Sequence, residues 1–400
     1  MPPSGFPVLN VSESTDIVFV HPNYRINVFG FLPGEQVAED ANSDLNVGLL
    51  DQEAALKWVN RYISHFGGDP KSVSIWGQSA GAGSALSHLI SRKHSPPLFH
   101  RALLSSPYWP KTYRHDSPEA QELYDRMANL TGCAGTNSLA CLKNASLATL
   151  QTANTVIVGS HLYGSSQYTW APVMDGEFLP KPLSAITPGD MNSKTVVGMY
   201  NTREGDYFMP PGLRDATSTG TPPFNRTQES LDEWLRGYLP SFDKQDLDAV
   251  KRMYPVVGDT ERLVYNDTFT RAGLIYRDSV LACPAFWAAE LGSVSGAGWI
   301  GEYSMPPANH ASDTTWWYLP SLAQQTDSLH YQGFTGAIAS FFMTGDPNAL
   351  KLTNSSVQGA PPFASGKQFV VTPESFDQVG YGQLKARCDF WKTMAHKIPI

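Results

Sequence analysis

The 400-residue chain has only four cysteines, Cys133, Cys141, Cys283 and Cys388, and no two of them form a C-x-x-C pair. Their spacing fits no common zinc pattern, so a metal site is not expected. No apolar run approaches the length needed to span a bilayer. The first ten residues, MPPSGFPVLN, lack the basic start and apolar core of a secretory signal. Charged residues are sparse at 16%, and the formal net charge is -8 with the acids spread along the chain. Such a surface disfavours nucleic acid and anionic membranes as partners. There is no internal repeat and no low-complexity linker. The Pro/Gly/Thr-rich patches at 209–224 and 358–366 read as surface loops. What is present, 42% hydrophobic residues over 400 positions, suffices for one large α/β domain over residues 1–400 with a full core.

The strongest local signal is the pentapeptide GQSAG at residues 77–81. It lies between a strand-like run at 72–76 (SVSIW) and a small-residue, helix-like run at 80–90 (AGAGSALSHLI). G-x-S-x-G on its own is weak, and a Gly/Ser-rich turn without chemistry is the bland reading. At a strand-to-helix junction it becomes a nucleophile elbow. The turn holds Ser79 in a strained conformation, the flanking glycines avoid clashes there, and the new helix directs its positive end at the same spot.

A serine hydroxyl needs a base in hydrogen-bond reach, and the base needs an orienting carboxylate. In the chain order Ser, acid, His, three histidines qualify: His310, His330 and His396. His330 opens an amphipathic stretch at 333–343 and reads as a helix-terminus residue. His396 falls in a charged C-terminal helix expected over 385–397. His310 follows a strand-like segment at 298–305 and sits in the loop PPANH, where sheet enzymes place catalytic groups. His310 is therefore the expected base, against the alternative of a solvated loop histidine. The run 194–201 (KTVVGMYN) is of strand length, and TREGDYF follows it. Glu204 at that strand end is the expected acid, with Asp206 and Asp175 as rivals.

Several segments carry a resemblance to the type-B carboxylesterase/lipase family, the cholinesterase-like branch of the α/β-hydrolases. They are NYRINVFGFLPG (23–34), the long stretch 46–84 around the elbow, FHRALLSS (99–106), PVMDGEFLP (172–180), NTREGDYF (201–208), NHASD (309–313) and GDPN (345–348), in the family's order. The resemblance implies an α/β-hydrolase fold, a mostly parallel central sheet flanked by helices. It places the nucleophile on Ser79, the acid on Glu204 and the base on His310. It also implies disulfides Cys133–Cys141 and Cys283–Cys388, the second tying down the C-terminal segment. The family's HGGG-type loop, which supplies two oxyanion-hole amides, has no counterpart here, leaving the Ala80 N–H. On the family pattern about a hundred N-terminal residues are missing, with the early strands. Only 17–20 (IVFV) reads as a strand before the elbow strand, and a strand between the two is expected to be absent.

Six N-x-S/T sequons, at Asn10, Asn129, Asn144, Asn225, Asn266 and Asn354, together with the cysteines point to a secreted, glycosylated, disulfide-bonded protein. The signal peptide would have been lost with the N-terminus. Tyr108, Trp109, Tyr113, Tyr163, Tyr168, Trp170, Phe208, Phe286 and Trp287 are candidates for an acyl or alcohol pocket, with ordinary core packing the favoured reading for most. Gln78, a neutral residue beside the nucleophile, argues against cationic alcohols such as choline. Ser106 reads as a structural hydroxyl close to the catalytic group. Asp313 is too near His310 in sequence to orient it and reads as a local acceptor. The expected function is hydrolysis of a small-molecule or lipid ester through an acyl-enzyme, without cofactor or metal. An inactive truncated relative, or a non-catalytic binding or adhesion member of the fold, are the alternatives.

Overall fold

The computed structural model describes residues 4–12, 17–165, 169–350 and 358–400. Its centre is a six-stranded sheet. The strands are β1 (Ser74–Gln78), β2 (Arg101–Ser105), β3 (Thr195–Asn201), β6 (Ala297–Tyr303), β7 (Lys367–Val371) and β8 (Phe376–Gly380), in that spatial order. Two short strands, β4 (Gly258–Asp259) and β5 (Val264–Tyr265), form a separate hairpin. The pairs from β1 to β7 are parallel and β7–β8 is antiparallel. With helices on both faces, this is the expected α/β-hydrolase architecture.

The two faces follow from the period of two along each strand. Ala102, Leu104, Val196 and Ile300 point into one apolar cluster, together with Leu86 and Leu89 of the helix Ala80–Ile90 and much of the helix Cys283–Ser295. Leu103, Val197 and Trp299 point the other way, against Ile338 and Phe341 of the helix Gly336–Thr344. Parallel strands buried on both faces read as near-continuous apolar runs, as 194–201 does. The helix Cys283–Ser295 lies unusually close to the sheet. A Cβ on Gly198 would sit 2.4 Å from the Ala285 carbonyl oxygen, and one on Gly298 would sit 2.1 Å from that of Ala289. Both positions need glycine for this approach.

Disulfides join Cys133 to Cys141 and Cys283 to Cys388. The second ties the helix Cys283–Ser295 to the helix Gly382–Met394. The segment around Cys133 has its own apolar cluster, built on Tyr124, Met127, Leu142 and Ile157.

The strand expected at 17–20 does not form. β-branched residues favour a pleated, half-buried surface only where a neighbouring strand supplies one, and among the described residues none pairs with this segment. Val18 and Val20 are exposed, while Ile17 packs on the cluster of the second sheet face and Phe19 lies edge-on to Trp76 with ring centroids 6.4 Å apart. Among the described residues β1 is accordingly an edge strand, paired only with β2. It also runs two residues later than the apolar run 72–76 predicts. Gly77 and Gln78 stay in register with Leu104 and Ser105, so pairing extends the strand to the elbow itself.

Candidate active site

At the end of β1 the chain turns sharply into the helix Ala80–Ile90. Ser79 lies at the turn with φ 56° and ψ −124°, a conformation that L-residues rarely adopt. Three backbone bonds hold it there. Its N–H donates to the Ser105 carbonyl at 3.0 Å, and its carbonyl accepts from Gly83 at 2.9 Å and Tyr108 at 3.1 Å. Of the two motif glycines only the first is sterically required. A Cβ on Gly77 would lie 2.2 Å from the backbone of Gly81, whereas one on Gly81 meets nothing within 4 Å. The second tight position is Gly83, whose Cβ would lie 2.2 Å from the Tyr108 carbonyl.

His310 stands over this turn. Its Nε2 is 2.7 Å from Ser79 Oγ, and its Nδ1 is 3.2 Å from Glu204 Oε2. With the proton on Nδ1, the ring donates to Glu204 and accepts from the serine hydroxyl. The His310 side chain is 7% exposed and that of Glu204 is fully buried. His310 sits between two strained residues, Ala308 at φ 51° and Ala311 at φ 69°. Neither alanine has a side chain to favour that region, so the fold around them imposes it. The Arg203 N–H contributes by donating to the Ala308 carbonyl at 2.9 Å, joining the base loop to the acid turn.

Glu204 opens a short 3-10 turn after β3, Glu204–Phe208. Its Oε1 accepts from Ser106 Oγ at 2.9 Å, from Asn201 Nδ2 at 3.3 Å and from the Asn201 N–H. These donors stand where water would otherwise solvate the buried carboxyl group. The turn is anchored from behind by Arg277, whose Nη1 donates to the Thr202 carbonyl at 2.8 Å. Arg277 is itself neutralised by buried Asp278, at 2.8 Å. The rival acids face elsewhere. Asp206 pairs with Arg203 at 2.8 Å, and burial raises its carboxyl. Asp175 accepts from Asn46 at 2.7 Å and from the Glu177 and Leu179 amides.

The other two histidines lie apart from this cluster. His330 is buried, its Nδ1 2.6 Å from Asp327 and its Nε2 2.6 Å from the Thr372 carbonyl. His396 is exposed and lies just beyond the C-terminal helix, which ends at Met394, not within it as expected. Its Nδ1 caps the Thr393 carbonyl at 2.9 Å.

Three further side chains complete the surroundings. Gln78 Nε2 is 3.4 Å from His310 Nε2. Phe208 packs edge-on to the imidazole at 4.9 Å, and Tyr207, 67% exposed, lies 6.3 Å from it. Tyr207 was not anticipated as part of the site; its place beside Glu204 in the sequence was the available signal. Ala80 is the first residue of its helix, so its N–H has no acceptor within the helix and faces the nucleophile's surroundings.

Of the other aromatic candidates, Tyr108 is buried beside the elbow through its bond to Ser79. Phe286 is removed from the site, packed against Phe363 and Tyr381, and Trp287 is buried in the same cluster. Trp170 packs in the cluster around Tyr124. Tyr113 is half-buried, and its carbonyl accepts from Met174. Tyr168 and Asn354 lie outside the described residues, as does the Tyr163 side chain. Asp313 is more than a local acceptor. It is buried and receives Ser105 Oγ, Asn201 Nδ2 and Trp317 Nε1. No periodicity within one segment announces these contacts, because Ser105 is 208 positions away in sequence.

Comparison with known proteins agrees with this architecture. The model of the carboxylesterase family matches residues 4–391. The chain is 30% identical to carboxylesterase patB of Aspergillus clavatus over 95% of its own length and 64% of that protein's. It is 31% identical to the secreted triacylglycerol lipase LIP1 of Gibberella zeae, over 62% of this chain and 42% of that one. Against acetylcholinesterase of Electrophorus electricus the identity is 33%, over 64% and 40%. The chain thus spans less than two thirds of each of these three relatives. The crystal structure of Aspergillus niger EstA superposes with a TM-score of 0.84 at 25% identity, covering all of this chain and 78% of that one. By sequence across nearly its whole length and by fold, the chain belongs to the carboxylesterase family.

Proposed function

We propose that this chain hydrolyses carboxylic esters through an acyl-enzyme on Ser79. The observation that carries the reading is the continuous contact from Ser79 Oγ to His310 Nε2 at 2.7 Å and from His310 Nδ1 to Glu204 at 3.2 Å. Ser79 Oγ attacks the ester carbonyl while His310 Nε2 takes its proton. Glu204 holds the ring and stabilises the imidazolium. The oxyanion forms opposite the Ala80 N–H, at the positive end of the helix. His310 then passes its proton to the departing alcohol oxygen. A water attacks the acyl carbonyl, gives a proton to His310, and the acid product leaves as Ser79 recovers its hydrogen.

Gln78 is neutral where it meets His310, so the site carries no extra anion to favour a cationic alcohol; uncharged esters are the expected substrates. Secretion fits the two disulfides, the relatives named as secreted lipases and the sequons. Asn10, Asn129, Asn144 and Asn266 are exposed, while Asn225 is half-buried and bonded to Ser218 at 3.2 Å. No helix among the described residues is long and apolar enough to cross a membrane. The test is Ser79→Ala with p-nitrophenyl esters and a fluorophosphonate label. Both hydrolysis and labelling disappear while circular dichroism is unchanged. Turnover above about a thousandth of the parent rate would point to another nucleophile.

A further inference from the structure

Two carboxyl groups are buried together behind the serine, and the proposed chemistry uses only one. Asp313 is 1% exposed and Glu204 is fully buried. They share a donor: Asn201 Nδ2 lies 3.3 Å from Glu204 Oε1 and 3.3 Å from Asp313 Oδ1. The other oxygen of Asp313 meets Ser105 Oγ and, at 3.2 Å, Trp317 Nε1. Ser105 is the residue whose carbonyl accepts the Ser79 N–H at 3.0 Å. Asp313 itself rides on the turn Ser312–Trp316, immediately after the His310 loop. A single carboxyl group thus touches the strand end that fixes the nucleophile and the amide that fixes the acid, and is tethered to the loop that carries the base.

We propose that Asp313 is a positioning residue for the hydrolysis, its carboxyl group holding, as the neutral acid, the strand end behind Ser79 and the amide beside Glu204. The proposal rests on the Ser79, Glu204 and His310 reading given above. Two carboxylates sharing one donor in a dry interior do not both ionise readily. Glu204 has the larger set of hydrogen-bond partners of the pair, with the Asn201 amide, Asn201 Nδ2, Ser106 and His310 around it. Asp313 has three neutral partners and no cation among them. Its burial, and then the charge of Glu204, push its carboxyl up. The titratable groups that face it are Glu204 from the acid turn and the Tyr303 phenol from β6, whose own pKa is raised to about 12, by burial above all.

The experiment compares Asp313→Asn, Asp313→Ala and Ser105→Ala in the full chain. Asparagine keeps the shape and the neutral charge. It should retain kcat within about threefold and leave the pH profile unmoved, whereas alanine should lower kcat by about 10–100-fold at nearly constant KM, the scale of a displaced catalytic group. The low-field proton resonance of His310 Nδ1–H, present in the parent and in Asp313→Asn, should be lost in Asp313→Ala. If Asp313→Ala does not fold, Ser105→Ala cuts the same link and should lower kcat by about 3–10-fold with a weakened resonance. An asparagine variant as impaired as the alanine one would overturn the proposal, because it would make the charge essential. So would alanine variants with unchanged kcat and an unchanged resonance. The resonance needs no turnover. If the parent protein neither hydrolyses esters nor takes the fluorophosphonate, the functional reading fails on its own, and the resonance still reports whether Asp313 holds the relay.

Discussion

Gly205→Ala tests whether the acid turn owes its place to a backbone contact. Gly205 follows Glu204 and packs on Gly273 of the helix Thr268–Arg277. A Cβ at Gly205 would lie 1.6 Å from the Gly273 carbonyl oxygen and 2.4 Å from its carbon. Both partners are backbone, so no side chain can swing away. Restoring ordinary contact, at about 3.5 Å, means parting the turn and the helix by roughly 2 Å. The Glu204–His310 bond, now 3.2 Å, cannot survive that shift. Overpacking of this kind costs about 1–3 kcal/mol. At about 2.1 cal/mol/K per residue, 400 residues convert that cost into a melting shift of roughly 1–4 °C. Activity should suffer far more, since a misplacement of about 1 Å costs about 10²-fold. The assay is kcat/KM for p-nitrophenyl acetate beside a calorimetric melt. The control is Gly81→Ala, whose Cβ meets nothing within 4 Å and which should leave the melt unchanged or slightly raised. A Gly205→Ala protein within threefold of the parent in kcat/KM and within about 1 °C in Tm would refute the argument.

Two stability predictions follow from other parts of the molecule. Replacing both Cys283 and Cys388 by alanine opens a loop of sequence separation 105, worth up to about 4.7 kcal/mol of chain entropy. Opening Cys133–Cys141, separation 8, should cost about 2.5 kcal/mol on the same model, and denaturant midpoints in the reverse order would contradict it. His88 is buried against Phe178 and bonded to Gln52 at 3.1 Å, and burial pushes its pKa down to about 4. The unfolded chain, with an ordinary imidazole near 6.5, takes up the proton first, so stability present above about pH 6.5 is lost as pH falls toward 4, by about 3 kcal/mol. His94 and His100 are also lowered by burial and add to the loss of stability as pH falls below about 6.5. His88→Gln should remove only its part of the slope in urea unfolding measured at pH 4 and 6.5; an unchanged slope would mean His88 is not held neutral.

The pattern of the sequence was enough for the local elements whose reasons are local. The helix Ala80–Ile90 has the predicted bounds, and β3 differs from the expected strand 194–201 by one residue. The apolar residues there alternate between two covered faces, and that alternation is written in the chain. The order of Ser79, Glu204 and His310, and the strand ends that carry Glu204 and His310, were equally legible. The failures lie where an element depends on a neighbour. The run 17–20 has strand composition but no partner among the described residues, so it stays unpaired and partly exposed. β1 reaches Gln78 because β2 continues beside it. Phe286 packs in the core with Phe363 and Tyr381, in line with the core packing favoured for most of the aromatic candidates.

Within the site the division is the same. Residue type and chain order, by themselves, nominated a nucleophile, an acid and a base. They were silent on Ser105 and Asn201 and gave Asp313 only a local role, because hydrogen bonds across 208 and 112 positions leave no mark on any one segment. Only the packed sheet brings the ends of β2 and β3 side by side, in register from Ala102–Val196 to Ser105–Met199, and so sets two buried carboxyl groups around one amide. The sequence alone determined which groups are chemically able to act. The tertiary structure decided which of them share a dry interior, and there distance and desolvation assign each group its charge and its partner.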